Sequence, residues 1–442
     1  MAKQFHEIRD PIHVFIRLDS HERKVLDSRP FQRLRYIHQL ALTYLVYPGA
    51  THRRFEHSLG VMDLASRVFD IVTNPNNVTD KVKEILPQIN NEVDRMYWRR
   101  VLRMAALCHD IGHLPFSHAA EKELFPEGWD HERMTKELIL SDEMKKIWNE
   151  VTPPLRPDDI VKLALGQKKE KDLTYNDWEN ILSEIIVGDS FGADRIDYLL
   201  RDSYHTGVAY GRFDHHRLID TLRILTPPLY DKEDSSIEPS LGVEKGGIQS
   251  AEALLLARYF MFTQVYFHRV RRIYDIHLRD FLADWLEGGQ YPTDPEAFLQ
   301  QTDNEIASAL RVASADKESP GHIHAKRIIN REHFKWLYSR TPRDMQINSE
   351  ALDLIKKVVI KEFGNEKVRF DNYPQKSGII DFPVLLSDQT VESSLQVSET
   401  LNHIPAIAVD YIFADRDIID HAKKWLEKHK DEIIKPQEKE GL

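Results

Sequence analysis

Apolar residues recur along most of this chain three to four positions apart, the helical period, and alternate only in short stretches. Residues 7–18 alternate after Pro11 and predict a strand or hairpin arm. Ser20–Leu26 predicts a short helix. Asp27-Ser28-Arg29-Pro30 then reads as a capped turn into a second helix carrying Phe31, Leu34, Ile37 and Leu40, with Gln32, Arg33 and Arg35 on its other sides. Tyr44 to His52 reads as an apolar strand closed by the turn Pro48-Gly49. The run from Arg53 enters a helix through Met62, Leu64, Val68 and Ile71, with His57 in its first turn. A helix from Val93 delivers Met96, Trp98, Leu102, Ala105 and Leu107 to a core and arrives at His109, where Gly112 and Pro115 end it. Residues 119–150 are amphipathic and helical apart from Phe125 to Asp130. Residues 155–165 and Trp178–Ile186 predict further helices, separated by the charged loop 166–176.

Farther on, Asp194, Asp197, Tyr198, Arg201 and Asp202 fall on neighbouring sides of one helix, because steps of three and four bring side chains together. Pro227–Gly247 reads as a turn-rich hairpin and Ile248–Glu287 as one long helix bearing Arg258, Tyr266, His268 and Arg269. After a break at Tyr291–Pro295, helices continue to Phe363, Lys357–Lys361 and Ile407–Phe413 look like strands, and Asp415–Lys430 is a terminal amphipathic helix. The expected fold is mainly α: a helical bundle, a small β-hairpin element and a smaller mixed α/β C-terminal lobe. The expected division is an N-terminal hairpin and helix segment over 1–50, the main domain over 51–287 and the C-terminal lobe over 288–442.

At 442 residues and 41% hydrophobic, the chain can bury a large core. Its net charge of -11 offers no global field for nucleic acid or anionic lipid, so an anionic substrate must meet a local cluster of Arg, Lys and metal. The single cysteine, Cys108, excludes an intramolecular disulfide, fits a reducing cytosol and reads as a small core residue. The N-terminus has no apolar run of signal-peptide length, and no window reaches the roughly 18 apolar residues of a membrane span. A soluble, cytoplasmic protein with no membrane partner is expected.

The chemistry concentrates in Val101 to His118, an apolar helix ending in His109-Asp110 and followed by His113 and His118. With His57 early in one helix and Asp194 opening another, these residues form a candidate metal set. Nitrogen and oxygen ligands from separate helices can converge in a bundle core, and such mixed ligation suits Mg, Mn, Fe, Ni or Zn rather than a soft thiolate site. The competing reading is satisfied core histidines with capping aspartates.

The full strings go further. Arg54-Phe-Glu-His57-Ser-Leu-Gly, His109-Asp110-Ile-Gly-His113-Leu-Pro-Phe-Ser-His118 and Asp194-Arg-Ile-Asp-Tyr198-Leu-Leu-Arg-Asp202 resemble the HD-domain phosphohydrolase signature. The resemblance is to the branch of deoxynucleoside triphosphate triphosphohydrolases that includes bacterial enzymes and the vertebrate SAM-and-HD-domain enzyme. It covers Glu7 to Glu287, matches the C-terminal lobe loosely, and includes no SAM domain ahead of residue 1. It implies hydrolysis of a dNTP to deoxynucleoside and triphosphate at a divalent metal held by His57, His109, Asp110 and Asp194. It further implies that His118, oriented by Glu121 where the vertebrate enzyme has Asp, protonates the leaving oxygen, with His113 and His131 beside the α-phosphate. Arg54, Arg195, Arg258 and Arg269 match phosphate clamps. Gln39 and Asp202 match sugar 3′-hydroxyl contacts, and Tyr198 and Tyr266 match walls of the sugar site.

Asp27, Gln32 and Arg35 match positions that read a guanine base at the allosteric site of tetrameric members, although His6 stands where the vertebrate enzyme has a phosphate-contacting Lys. The resemblance thus implies an activating nucleotide (dGTP, GTP or dATP) and a homo-oligomer, dimer or tetramer, with at most weak nucleic-acid binding. Two other functions remain open at this stage: an HD-type nucleotidase or phosphodiesterase acting on a nucleoside monophosphate or cyclic nucleotide, and a nucleic-acid-binding regulator. The intact ligand set argues against an inactive scaffold.

Overall fold

The alternating segment at the N-terminus forms the expected hairpin. His6–Asp10 pairs antiparallel with Val14–Leu18. Asp10 Oδ1 closes the turn by accepting the backbone N–H groups of Ile12 and His13 at 2.8 Å each. This computed structural model describes residues 5–116, 121–227, 238–373 and 380–435, with residues 121 and 122 described by their backbone alone.

The main domain is built around the helix Arg54–Val72. Its residues Leu59, Val61, Met62, Leu64, Ala65 and Val68 are all buried, because the helices Glu92–Cys108, Asp177–Val187 and Ala193–Thr206 enclose it. Gly60, in the middle of this helix, permits the closest approach. A Cβ there would overlap Asp197 Oδ1 and stand 2.5 Å from Arg201 Nη2, both on Ala193–Thr206. Cys108 is a free, buried thiol whose pKa burial pushes up, as a core residue requires. No helix among the described residues is long and apolar enough to cross a membrane.

After Trp285 the chain keeps building the main core through Phe298, Ile306, Leu310 and Ala325, on the helices Pro295–Leu299, Asp303–Ala315 and His322–Ile329. A second, smaller core follows, with Leu337, Ile355, Val359, Ile412 and Ala422 at its centre. There the strands Lys335–Ser339, Val409–Ala414 and Val368–Tyr373 form an antiparallel sheet in that order, and the helices Ala351–Phe363 and Ile419–Ile433 pack with it. Leu222–Leu225 pairs antiparallel with Ser240–Glu244, and Pro383–Leu385 adds alongside in parallel. The fold is mainly α with small sheets and a mixed α/β C-terminal part.

Several elements differ from the sequence expectation, the strand Lys335–Ser339 within the stretch expected to be helical among them. The helix opened by Pro30 stops at Arg33 and passes through a 3-10 turn, Leu34–Tyr36, into extended Ile37. It is pulled open by His38, whose backbone N–H and ring Nδ1 both meet Asp303 Oδ2, at 2.7 and 2.6 Å. Tyr44 to His52 holds no strand: the N–H groups of Val46 and Tyr47 return to Thr43 O at 2.9 and 2.8 Å, while His52 O pairs outward, accepting from Gln39 N at 3.0 Å beside the isolated bridge His38–Arg53. The long helix is broken into Ile248–Met261, a π-turn at Phe262–Tyr266 and Arg269–Trp285. Lys357–Lys361 lies inside the helix Ala351–Phe363, where burial of Ile355 and Val359, four apart, outweighs the β preference of the Val-Val-Ile run. The hairpin also starts earlier than expected, at Leu222, and residues 228–237 of its turn lie outside the described residues.

Candidate metal centre and cleft

Three helices aim donors at one point. His57 sits in the first turns of Arg54–Val72, His109 caps the C-terminus of Glu92–Cys108 with Asp110 next to it, and Asp194 lies in the first turn of Ala193–Thr206. His57 Nε2 stands 3.0 Å from Asp194 Oδ1 and 3.7 Å from Asp110 Oδ2. His109 Nε2 stands 3.4 Å from Asp110 Oδ1 and 3.7 Å from Asp194 Oδ1. His57, His109 and Asp110 are buried, and the Asp194 side chain, 34% exposed, faces the opening.

The other ring nitrogens fix the tautomers. His57 Nδ1 lies 2.8 Å from Asp197 Oδ2 and His109 Nδ1 lies 2.8 Å from Ala106 O, so each Nδ1 is the donor and each Nε2 is the nitrogen left to face the centre. His109 Nε2 is a buried polar atom with no hydrogen-bond partner. Burial disfavours a charged His57, but Asp194 and Asp197 outweigh it and raise its pKa to about 10. Burial likewise opposes ionisation of Asp110 and Asp194. Arg54, His109 and His113 nevertheless hold Asp110 well below the usual carboxylate range, and His109 and His57 do the same for Asp194. Deprotonated carboxylates facing two imidazole Nε2 atoms at this spacing fit one divalent ion with bonds of about 2.0–2.2 Å, which would displace the second proton of His57.

Behind the donors lies a polar cluster that sequence reasoning did not assign. Asp197 is fully buried and accepts from His57, from Arg201 Nε at 2.8 Å and Nη2 at 2.9 Å, and pairs with His13 Nε2 at 2.6 Å. Arg201 Nη1 continues to Asp10 Oδ2 at 2.8 Å. The only local signal was the spacing of 194, 197 and 201 along one helix; nothing near residue 13 marks its partner.

A cleft of about 2500 Å³ opens over the donors and is walled by both parts of the chain, including Asp194, Arg195, Tyr198, Arg258, Tyr266 and Tyr373. Gln39, Arg54, His113, His131 and Asp202 also line it. Arg54 pairs with Asp110, whose Oδ1 is 3.1 Å from His113 Nε2. The rings of His113 and His131 stack at 4.0 Å, and burial, Arg54 and His131 push the His113 pKa well below the ordinary value, so His113 is neutral. Arg195 Nε and Nη1 and Arg258 Nε are buried without partners, and burial and Arg195 lower the Arg258 pKa. At the far side Tyr266 donates to Asp202 Oδ2 at 2.7 Å, His52 Nε2 meets Asp202 Oδ1 at 2.7 Å, and Tyr198 faces Tyr266 edge-on.

Not every expected residue is gathered there. Arg269 places its guanidinium 4.8 Å over the ring of Trp336 and does not line the cleft, whereas Arg271 and Arg272, two and three residues on, do. Asp27, Gln32 and Arg35 lie outside it: Gln32 Oε1 accepts from Arg35 at 3.0 Å, Arg35 covers Phe55, and Asp27 pairs with Arg23. His118 and the Glu121 side chain lie outside the described residues. The loop leading toward them is held by Arg33, which donates to His113 O at 2.8 Å, and by Asp303, which accepts from Phe116 N at 2.7 Å.

Comparison with known proteins agrees with this geometry. A family profile for the HD domain matches residues 54–188, and one for the HD associated region matches 213–408. An uncharacterized protein of Methanocaldococcus jannaschii is 39% identical over 306 residues, covering 69% of this chain and 55% of that protein. The Homo sapiens deoxynucleoside triphosphate triphosphohydrolase SAMHD1 is 29% identical over 390 residues, covering 80% of this chain and 57% of that protein. The chain thus spans little more than half the length of these two relatives. A crystal structure of a hypothetical protein from Aquifex aeolicus superposes with a TM-score of 0.75 at 33% identity, covering 96% of this chain and all of that one.

Proposed function

This chain belongs to the HD-domain family, in its dNTPase-like branch with an HD-associated region, and from that premise we propose that it is a metal-dependent dNTP triphosphohydrolase. The reaction is dNTP plus water to deoxynucleoside plus inorganic triphosphate. The observation that carries this reading is the pair Arg195 and Arg258. Arg195 Nε and Nη1 and Arg258 Nε are buried without hydrogen-bond partners, and Arg195 Nη2 has Asp189 Oδ1 at 3.6 Å, in a chain whose net charge is -11. Two cations held together in a closed place are stabilised by a polyanion.

In this mechanism His57, His109, Asp110 and Asp194 would hold a divalent ion, whose chemistry there would be Lewis acidity toward a phosphoryl oxygen and a lowered pKa for water. Arg54, Arg195 and Arg258 orient the phosphate chain, and His131 together with neutral His113 borders the α-phosphate. Water attacks the α-phosphorus and the bond to the 5′-oxygen breaks. His118, oriented by Glu121, gives that oxygen its proton. Gln39 and Asp202 receive the 3′-hydroxyl. Tyr266, fixed by its bond to Asp202, closes the space that a ribose 2′-hydroxyl needs, and Tyr198 packs the sugar's other side.

The same reading includes a homo-oligomer, dimer or tetramer, activated by dGTP, GTP or dATP through Asp27, Gln32 and Arg35. Light scattering with and without each nucleotide tests that part. The decisive assay incubates the protein with each dNTP, alone and with dGTP, GTP or dATP, under Mg²⁺ and Mn²⁺, and separates the products. Inorganic triphosphate is expected; monophosphate or pyrophosphate as the sole product refutes the proposal.

A further inference from the structure

A second cluster of histidines and a carboxylate lies apart from the HD centre, and the function proposed above does not use it. His277 and Asp280 are one turn apart on the helix Arg269–Trp285, and His324 faces them from His322–Ile329. One ligand atom from each of the three lies within 4.8 Å of the others. His277 is fully buried and its Nδ1 has no partner; His324 Nδ1 is likewise buried and unpartnered. Two orphaned imidazole nitrogens in a cluster with one carboxylate are not explained by packing, since each costs about 1–3 kcal/mol unless something satisfies it.

The spacing says what that something is. His324 Nδ1 stands 3.7 Å from Asp280 Oδ2, too long for a hydrogen bond. Two donors on one tetrahedral ion with bonds of about 2.0–2.1 Å stand roughly 3.4 Å apart. The donors of the HD centre show the same separations, 3.0 to 3.7 Å. The two helices are also brought close on purpose. Gly321, at φ +71, starts the second helix where a Cβ would stand 2.7 Å from the Phe281 ring.

We propose that His277, Asp280 and His324 form a second metal site, for a divalent first-row transition ion such as Zn²⁺ or Co²⁺, that pins His322–Ile329 to the helix carrying Arg271, Arg272 and Asp275 into the cleft. Two imidazoles and one carboxylate are donors for that class of ion, with water completing the coordination. Asp280 Oδ1 is held by Arg279 at 2.8 Å and Oδ2 by Arg369 at 3.1 Å, which leaves Oδ2 a second lone pair for the ion. Metal at His277 Nδ1 would place the ring proton on Nε2, opposite the Phe334 N–H that now donates to it at 3.3 Å, so that contact would have to open.

The test titrates the metal-stripped full chain with Co²⁺, counting bound metal and recording visible absorption and Tm. Wild type is expected to bind two equivalents and His324→Ala one, with unchanged far-ultraviolet circular dichroism and a smaller metal-induced rise in Tm. Asp110→Ala separately reports the HD centre, so failure of one site is distinguishable from failure of the other. His324→Cys, a ligand swap, is expected to restore the second equivalent with a thiolate-to-cobalt charge-transfer band. Equal stoichiometry in wild type and His324→Ala, or no such band in a folded His324→Cys chain, overturns the site.

Discussion

Replacing Gly60 by alanine separates two effects of opposite sign. Gly60 lies inside the helix Arg54–Val72, where alanine is favoured over glycine by about 1 kcal/mol. On propensity alone the variant is therefore more stable. The structure reverses the sign, because the added methyl would overlap Asp197 Oδ1 and come within 2.5 Å of Arg201 Nη2. Neither atom ends a loose side chain: both residues are fully buried and bonded to each other, and Asp197 also holds His57 and His13. Breaking a buried, hydrogen-bonded pair costs about 3–5 kcal/mol. Subtracting the propensity gain leaves a net loss of about 2–4 kcal/mol. Because Asp197 orients His57, metal affinity at the HD centre is also expected to fall about 10- to 100-fold. Urea denaturation gives the first quantity and metal titration the second. A Gly60→Ala chain that is about 1 kcal/mol more stable than wild type, with metal affinity unchanged, would refute the reasoning.

Asp110→Ala and Asp194→Ala are each expected to abolish turnover with the fold retained, as read by product release and circular dichroism; full activity in either removes the metal assignment. Arg195→Ala and Arg258→Ala each remove charge-assisted bonds to phosphate, and kcat/KM for a dNTP is expected to drop about 10- to 100-fold; an unchanged value contradicts the clamp. Burial, with His52 beside one and His216 beside the other, lowers the pKa of His205 and His215 to about 4. The unfolded chain therefore takes up these protons first, so these two groups are expected to make stability decline as pH falls from about 6.5 toward 4 and to add no pH dependence of their own above it. Urea midpoints measured across that window check this. A His205→Gln, His215→Gln double variant should show a shallower decline, and an identical slope would count against it.

What could be read in the sequence depended on whether the deciding contact was local. His57, His109, Asp110 and Asp194 stand in compact strings on or directly after regular helices, so where those helices begin and end is enough to bring the side chains together. The misplaced elements were decided from far away. His38 leaves its helix for Asp303, a residue 265 positions on, and no local propensity reports that. Arg269 and its neighbours turned on the π-turn at Phe262–Tyr266. A continuous helix through this region would be phased differently, by about 100° for each residue of offset, so the arginines reaching the cleft are Arg271 and Arg272. The Val-Val-Ile run at 358–360 misled for the converse reason, a strong local preference overruled by two buried contacts on one helical face.

The bonds of Asp10 and His13 to Arg201 and Asp197 have a consequence for the order in which the molecule is made. The partners are separated by 191 and 184 residues, so the hairpin, synthesised before them, must wait for that length of chain before its polar turn is satisfied. Until Asp197 arrives, His57 has no acceptor for its Nδ1 and no reason to present one nitrogen rather than the other. Metal capture at the HD centre is therefore a late event of biosynthesis, and a nascent chain stalled before residue 201 should neither retain metal nor protect its N-terminus from proteolysis.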